Sequence, residues 1–396
     1  MAREEHTEQP IWPQDIRRLL WMQGVMNTSH FMTIPLLALY MSANLQFGAA
    51  ALASVMSANL LCAQVLPLAA GAVADRFGSH RIITLGLMLR GLGFLGFGCF
   101  DGAGAWIGCA VLAGTGVACY EGGVYGLFGR QPRERLSALF ASNNQMLNAG
   151  AAIGPIIGGL AALGQIRVAF GVSAILFILL SAVAHRAKFG SSVRFVRQPM
   201  MKNVKAAATH AGLWRLIAVS LPWFFLFPQL YVAFPMYAGQ LAGPHAASAI
   251  YVLNGVVGLA FIMLAKRWMT RMNPASLTTW AYLGAGFAFA SLAVLQGIEW
   301  FLLFIVAYTV IETLLLPTLE SMTASLATDG SQGTFFGVMS AVGALSGAAG
   351  YYVGSWLIVN RSPAETWSAL GSIGFLGFIV SVLLLLRRSQ SNRSLH

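Results

Sequence analysis

Charge is what this sequence has least of: Asp, Glu, Lys and Arg together make up only 9% of 396 residues, against roughly 25% in an ordinary soluble domain. With 57% of the chain hydrophobic, there is too little polar surface for a soluble fold, and that class is excluded. Cysteine is scarce as well. Cys62, Cys99, Cys109 and Cys119 fall inside apolar stretches without metal-ligand or redox spacing, so each reads as a small buried hydrophobe and no disulfide framework is implied. The sequence holds no Gly-x-x-x-x-Gly-Lys-Ser/Thr phosphate loop, no intramembrane His/Asp ligand set and no Ser nucleophile with a base, so neither an enzyme, a cofactor, a metal nor ATP-driven work is expected. Met1 to Gln14 carries Glu4, Glu5, Glu8 and two prolines instead of the basic and apolar regions of a secretory signal, which leaves the first span to direct insertion.

What is present is a series of long apolar runs. At about 20 residues per span, a chain of this length has room for around twelve. The runs lie near 17–41, 48–74, 82–100, 104–128, 136–161 and 166–185, then 213–238, 246–266, 276–297, 300–322, 333–359 and 365–386. A polar, basic connection at 186–212 divides them six and six, and predicts an N-terminal bundle over 1–185 and a C-terminal bundle over 213–396. At an offset of 196, Phe140, Gly154 and Gly158 recur as Phe336, Gly350 and Gly354, which points to a duplicated six-helix unit. The fold class expected is therefore an all-α polytopic membrane protein, twelve transmembrane helices in two pseudo-symmetric six-helix bundles. Its 43 glycines suit close approach of helix backbones.

The net charge of +11 suggests nucleic acid until the basic residues are placed. All but Arg90, Arg167 and Arg361 of the 24 lysines and arginines fall on one side of the twelve spans, the side of both termini. The positive-inside rule then puts both termini in the cytosol, in a bacterial plasma (inner) membrane, and no nucleic-acid partner is implied. The basic connection can also touch anionic lipid.

Two motifs carry the most specific information. Between spans two and three runs Gly71-Ala-Val-Ala-Asp75-Arg76-Phe-Gly78-Ser-His-Arg81. Gly71 permits close helix contact, Gly78 supplies a tight turn, Asp75 can face the partial positive charge of a helix N-terminus, and Arg76 and Arg81 hold the loop inside. In span five, Gly150, Gly154 and Gly158 recur at i, i+4, i+8 and form one smooth ridge, followed by Gly159; Pro155 removes a backbone hydrogen bond and bends the helix there, as suits a helix that rocks against a partner.

The first motif resembles the loop between spans two and three of the major facilitator superfamily, with Val73 in place of Leu and Ser79-His80 in place of two basic residues. The second resembles the antiporter motif of that superfamily's exporters, and nearly the whole chain is similar to a twelve-span drug:proton antiporter. The resemblance implies a gate role for Asp75 at the cytosolic ends of spans two and eleven, and alternating access of the two halves around a central cavity. The Arg that such exporters often carry early in span four is absent from Cys109–Ala118.

Charges inside a bilayer are expensive, so each is a functional candidate. Arg90 and Glu121 lie at similar depths, and either form a buried ion pair or leave Glu121 to titrate. Glu312, near the middle of span ten, has no evident basic partner, and His30 reaches a similar depth in span one. Carboxyl and imidazole groups can both exchange protons in a proton-driven cycle, so Glu312, Glu121 and His30 are the proton-coupling candidates. Asn27, Tyr120, Tyr125, Asn148, Gln229, Tyr231 and Tyr308 are candidate cavity residues, since aromatic walls with a few polar groups suit amphipathic or cationic organic molecules. The expected function is proton-coupled efflux of small organic compounds by a monomer whose partners are substrate, protons and lipid. The alternatives are an exporter of an endogenous metabolite such as a siderophore and a transport-inactive membrane sensor or scaffold; the latter would want an added soluble domain or long tail.

Overall fold

In a computed structural model, residues 12–67, 78–128, 131, 133–162, 165–187, 207, 209–269, 271–326 and 332–386 are described. Every regular element among them is helical. Apolar runs fold this way because a helix satisfies its backbone hydrogen bonds internally, the only open-chain solution in hydrocarbon. The first six helices are α1 (Gln14–Ala43), α2 (Ala49–Val65), α3 (Ser79–Cys99), α4 (Ala103–Phe128), α5 (Arg133–Ala162) and α6 (Ile166–Ala187). The seventh segment is interrupted: α7 (Ala211–Leu226), a 3-10 turn (Phe227–Tyr231) and α8 (Ala233–Ala242). Then come α9 (Pro244–Met269), α10 (Pro274–Ser291), α11 (Ile298–Leu326), α12 (Gln332–Asn360) and α13 (Pro363–Ser381), which ends in a π turn (Val382–Leu386).

Counting α7 and α8 as one span, twelve helical segments stand among the described residues. Eight of them, α3, α4, α6, α7 with α8, α9, α11, α12 and α13, are long and apolar enough to cross a membrane. Starts and stops follow local chemistry. Pro274 and Pro363 occupy first-turn positions where a missing N–H costs nothing, and Ser362 with Glu365 forms a reciprocal capping box. The continuous seventh span expected over 213–238 is broken because Pro228 has no amide hydrogen to continue the ladder, and the chain tightens to 3-10 geometry around it.

The packing repeats. In the first half α3 packs on α4 and α6, α2 on α4, and α1 on α5 and α6; in the second, α10 packs on α11 and α13, α9 on α11, and α7 on α12 and α13. Each of these contacts thus has its counterpart six spans on, and the aromatic cores agree. Tyr40 meets Phe170 edge to face at 5.5 Å, and at the same offset of 197 Tyr237 meets Trp367 edge to face at 5.1 Å. The two bundles join along α2 with α12, α5 with α9, and α1 with α8. The outer faces expose large apolar side chains, among them Leu264 and Val294 at 82%, as a lipid-facing surface requires. The protein is a multi-pass membrane protein.

Candidate functional site

Glu312 sits at the middle of α11, fourteen residues from either end, about 21 Å along the axis from both termini of the helix. Its Oε2 accepts a hydrogen bond from Asn254 Nδ2 of α9 at 2.8 Å. The same amide donates to Thr309 Oγ1 at 2.9 Å, and Thr309 in turn donates to Ile305 O at 2.7 Å. No Lys, Arg or His makes an ion pair with Glu312 among the described residues. Tyr231 and Tyr308 lie within electrostatic reach of its carboxyl.

The break in the seventh span shapes the wall beside this acid. Ending a helical ladder frees carbonyls that must find donors in an apolar setting. Tyr251 of α9 donates to Leu230 O at 2.6 Å, and Tyr308 of α11 donates to Phe227 O at 3.4 Å. Gln229, fully buried, donates from Nε2 to Gly350 O of α12 at 2.9 Å and to Phe225 O at 3.2 Å. Tyr231 and Tyr308 thereby lie near Glu312, with Gln229 in the same 3-10 turn as Tyr231, and Asn254, Tyr251, Thr309 and Tyr351 join this cluster without belonging to any sequence motif. A lone Asn in the apolar run 246–266 was the available signal, since an uncompensated amide is costly at that depth.

The first half builds a different cluster. Arg90 of α3 is 3% exposed. Its Nη2 donates to His30 Nδ1 of α1 at 2.8 Å, its Nη1 contacts Met26 Sδ at 2.9 Å, and its guanidinium stacks over Phe177 of α6 at 4.6 Å. Because a guanidinium only donates, Nδ1 of His30 is the acceptor and the ring proton belongs on Nε2. Of the two readings open for Arg90 and Glu121, a closed ion pair is not formed: Glu121 lies within electrostatic reach of Arg90, but the Nη groups are committed to α1. Asn27 and Tyr120 are buried, Asn27 donating to Gln23 O at 2.9 Å; the side chains of Tyr125 and Asn148 lie outside the described residues.

The glycine ridge of α5 beds on α1 within the same half. A Cβ on Gly150 would stand 2.5 Å from Asn27 Cβ, one on Gly154 2.6 Å from Thr28 O, and one on Gly158 would overlap Met32 O. The rocking partner expected for this ridge is thus a helix of its own bundle, because only hydrogen side chains allow so close an approach. The face that meets the other bundle is the neighbouring one, where Ala151 and Ala152 lie against Gly255 of α9. Pro155 lies inside α5, and Gly159 is half-buried. The second half repeats the arrangement: Gly343 and Gly350 of α12 lie against Phe224 and Phe225 of α7, and Gly354 against Gln229 of the 3-10 turn.

The long seam pairs α2 and α12 in antiparallel fashion. Ser54 hydrogen-bonds Tyr352 at 2.7 Å, Ser57 Oγ donates to Ala348 O at 3.4 Å, and Gln64 meets Ser340. At the end of the bundle away from the termini, Leu39 Cδ1 of α1 lies 2.9 Å from where a Cβ on Gly239 of α8 would stand. Of the loop between α2 and α3, Gly71, Asp75 and Arg76 lie outside the described residues; Gly78 has φ +91°, a conformation that favours glycine, and the exposed Arg81 lies in the first turn of α3. The two bundles thus repeat their internal packing, join along α2 with α12, α5 with α9 and α1 with α8 and α9, and hold polar groups at mid-span.

Comparison with known proteins bears on that arrangement directly. A family model described as Major Facilitator Superfamily matches residues 19–351. The Multidrug resistance protein MdtH of Salmonella typhimurium is 24% identical over 364 residues, covering 88% of this chain and 89% of its own, and that of Salmonella newport is 24% identical over 361 residues, covering 88% and 89%. Among solved structures, the POT family transporter PepTSo superposes with a TM-score of 0.80 at 15% identity over 96% of this chain and 99% of its own. A peptide transporter POT in complex with sulfate superposes at 0.78 with 18% identity over 96% and 95%; at these identities the likeness is one of fold. With twelve helical segments in two repeated bundles and a family match over most of its length, the chain belongs to the major facilitator superfamily of membrane transporters.

Proposed function

We propose that the protein is a proton-coupled exporter of small organic molecules, working by alternating access of its two bundles in the bacterial inner membrane with both termini in the cytosol. The observation that carries the reading is Glu312. An acid at mid-span, held by an amide and facing tyrosines instead of a cation, can lose its charge without leaving an opposite charge unpaired. Glu121 and His30 are the secondary proton-carrying candidates. The aromatic wall of Tyr231, Tyr251, Tyr308 and Tyr351 beside Gln229 suits amphipathic organic compounds through apolar contact and cation–π attraction, which is also the direction in which the multidrug names of the relatives point.

In this orientation Leu39 packs against Gly239 at the external end, and Asp75 would act as a gate residue at the cytosolic ends of α2 and α12. The test is a proteoliposome screen of amphipathic dyes and drug-like compounds under an imposed pH gradient. Movement of one or more probes driven by the gradient, collapsing with a protonophore, is the expected result; probe movement indifferent to the gradient would overturn proton coupling.

A further inference from the structure

Asn254 stands where two relationships of α9 meet. A helix turns by about 100° per residue, so sequence neighbours face different partners while residues four apart share a face. Asn254 and Gly258 both face α11. The first donates to Glu312 Oε2 at 2.8 Å and Thr309 Oγ1 at 2.9 Å, and a Cβ on the second would lie 3.4 Å from Thr309 Cγ2. Gly255, between them, faces the other bundle: a Cβ on it would stand 3.4 Å from Ala152 Cα and 3.7 Å from Ala152 Cβ. Consecutive residues of α9 therefore carry the donor to the acid and the contact across the seam.

We propose that Asn254 is a positioning residue that ties the charge state of Glu312 to the seam between α5 and α9. The inference rests on the reading of Glu312 as the coupling acid. A hydrogen bond to a carboxylate is roughly twice as strong as one to a neutral acceptor. When the carboxyl is neutral, α9 is held less firmly on α11, and Gly255 is free to change its seat against Ala152. The groups within reach of Glu312 are Tyr231 of the 3-10 turn, Asn254 of α9, and Tyr308 and Thr309 of its own helix, while Tyr251 of α9 and Tyr351 of α12 stand near those two tyrosines. With no cation paired to Glu312 among the described residues, the amide is the donor whose grip follows the carboxyl's charge.

A cross-link reads the seam. The 3.7 Å separation of the Cβ positions at 152 and 255 is close to the ~3.8 Å of a disulfide, so Ala152→Cys with Gly255→Cys should link in this conformation. The full chain in liposomes is oxidised at one fixed pH, and linked peptides are quantified by mass spectrometry in the otherwise native pair, with Glu312→Gln, with Asn254→Leu and with both. Glu312→Gln should change the linked fraction about threefold, Asn254→Leu should change it in the same direction, and the two together should change it little further than Asn254→Leu alone, because both act on one interaction, which the first weakens and the second removes. Asn254→Gln, which keeps the donor, should restore part of the response to Glu312→Gln; Asn254→Ala replaces the leucine variant if that one does not fold. An undiminished response to Glu312→Gln without Asn254, or linkage insensitive to either residue, overturns the proposal. pH-driven transport that survives Glu312→Gln while the linkage cycle holds would instead sink the coupling role of Glu312 and leave the Asn254 link standing.

Discussion

The two bundles repeat each other's packing and differ in what they bury. In the first, the mid-span charge is a cation: Arg90 is wrapped by His30, Met26 and Phe177, with Glu121 in reach but not paired. In the second it is an acid, the half-buried Glu312, hydrogen-bonded to an amide and within electrostatic reach of two tyrosines. A guanidinium stays charged at every working pH, whereas a carboxyl can lose its charge. Duplication can thus leave one half as a fixed electrostatic frame and make the other the half that switches. On this view the first bundle's cluster serves stability and the second's serves coupling, and substitutions should separate the two.

The largest effect is expected outside both clusters, on the ridge that each half needs. Gly158→Leu forces a side chain into the space held by Met32 O, and because backbone cannot yield as a side chain can, the cost exceeds the ~1–3 kcal/mol of ordinary overpacking. Loss of the folded, monodisperse protein in size-exclusion chromatography is the expected result, while Gly108→Leu, with open space around its Cβ position, should purify normally. His30→Leu comes next. It strips Arg90 of its acceptor in a buried site and should lower stability by about 1–3 kcal/mol, seen as a lower thermal midpoint in detergent, with the gradient dependence of transport retained. Glu121→Gln is expected to be the mildest: with no closed ion pair to break, gradient-driven transport should stay within about threefold of the native protein, under 1 kcal/mol. A large loss from Glu121→Gln, with Glu312→Gln silent, would move coupling into the first bundle.

Much of this contrast was legible in the chain itself, and the unread part has a common cause. Hydropathy and the positions of Arg90, Glu121, His30 and Glu312 along their runs fix depth, because helical rise is constant. Depth alone left Arg90 either paired with Glu121 or not. The rotation of α3 about its axis, set by glycine contacts such as Gly86 against the backbone of Tyr120 and Gly116, turns Arg90 toward α1 and His30 instead. The glycine ridge was readable at i, i+4, i+8, but its partner helix was not, since periodicity tells which residues share a face and says nothing of what lies opposite. The 3-10 turn at Phe227–Tyr231 was hidden by its own apolarity: a hydropathy window averages across Pro228. Asn254 was missed for the opposite reason, being one amide in a run that is otherwise largely apolar.

The most direct test of the central claim is pH-gradient-driven transport of an amphipathic cationic dye by the Glu312→Gln protein in proteoliposomes, with dye binding measured on the same preparation. The variant keeps shape and hydrogen bonding but fixes the neutral form. Dye should still bind within about threefold of the native protein, while the response of its movement to the gradient falls by at least about tenfold, more than 1.4 kcal/mol of lost coupling. A Glu312→Gln protein that binds the dye and still moves it in full response to the gradient would contradict the account.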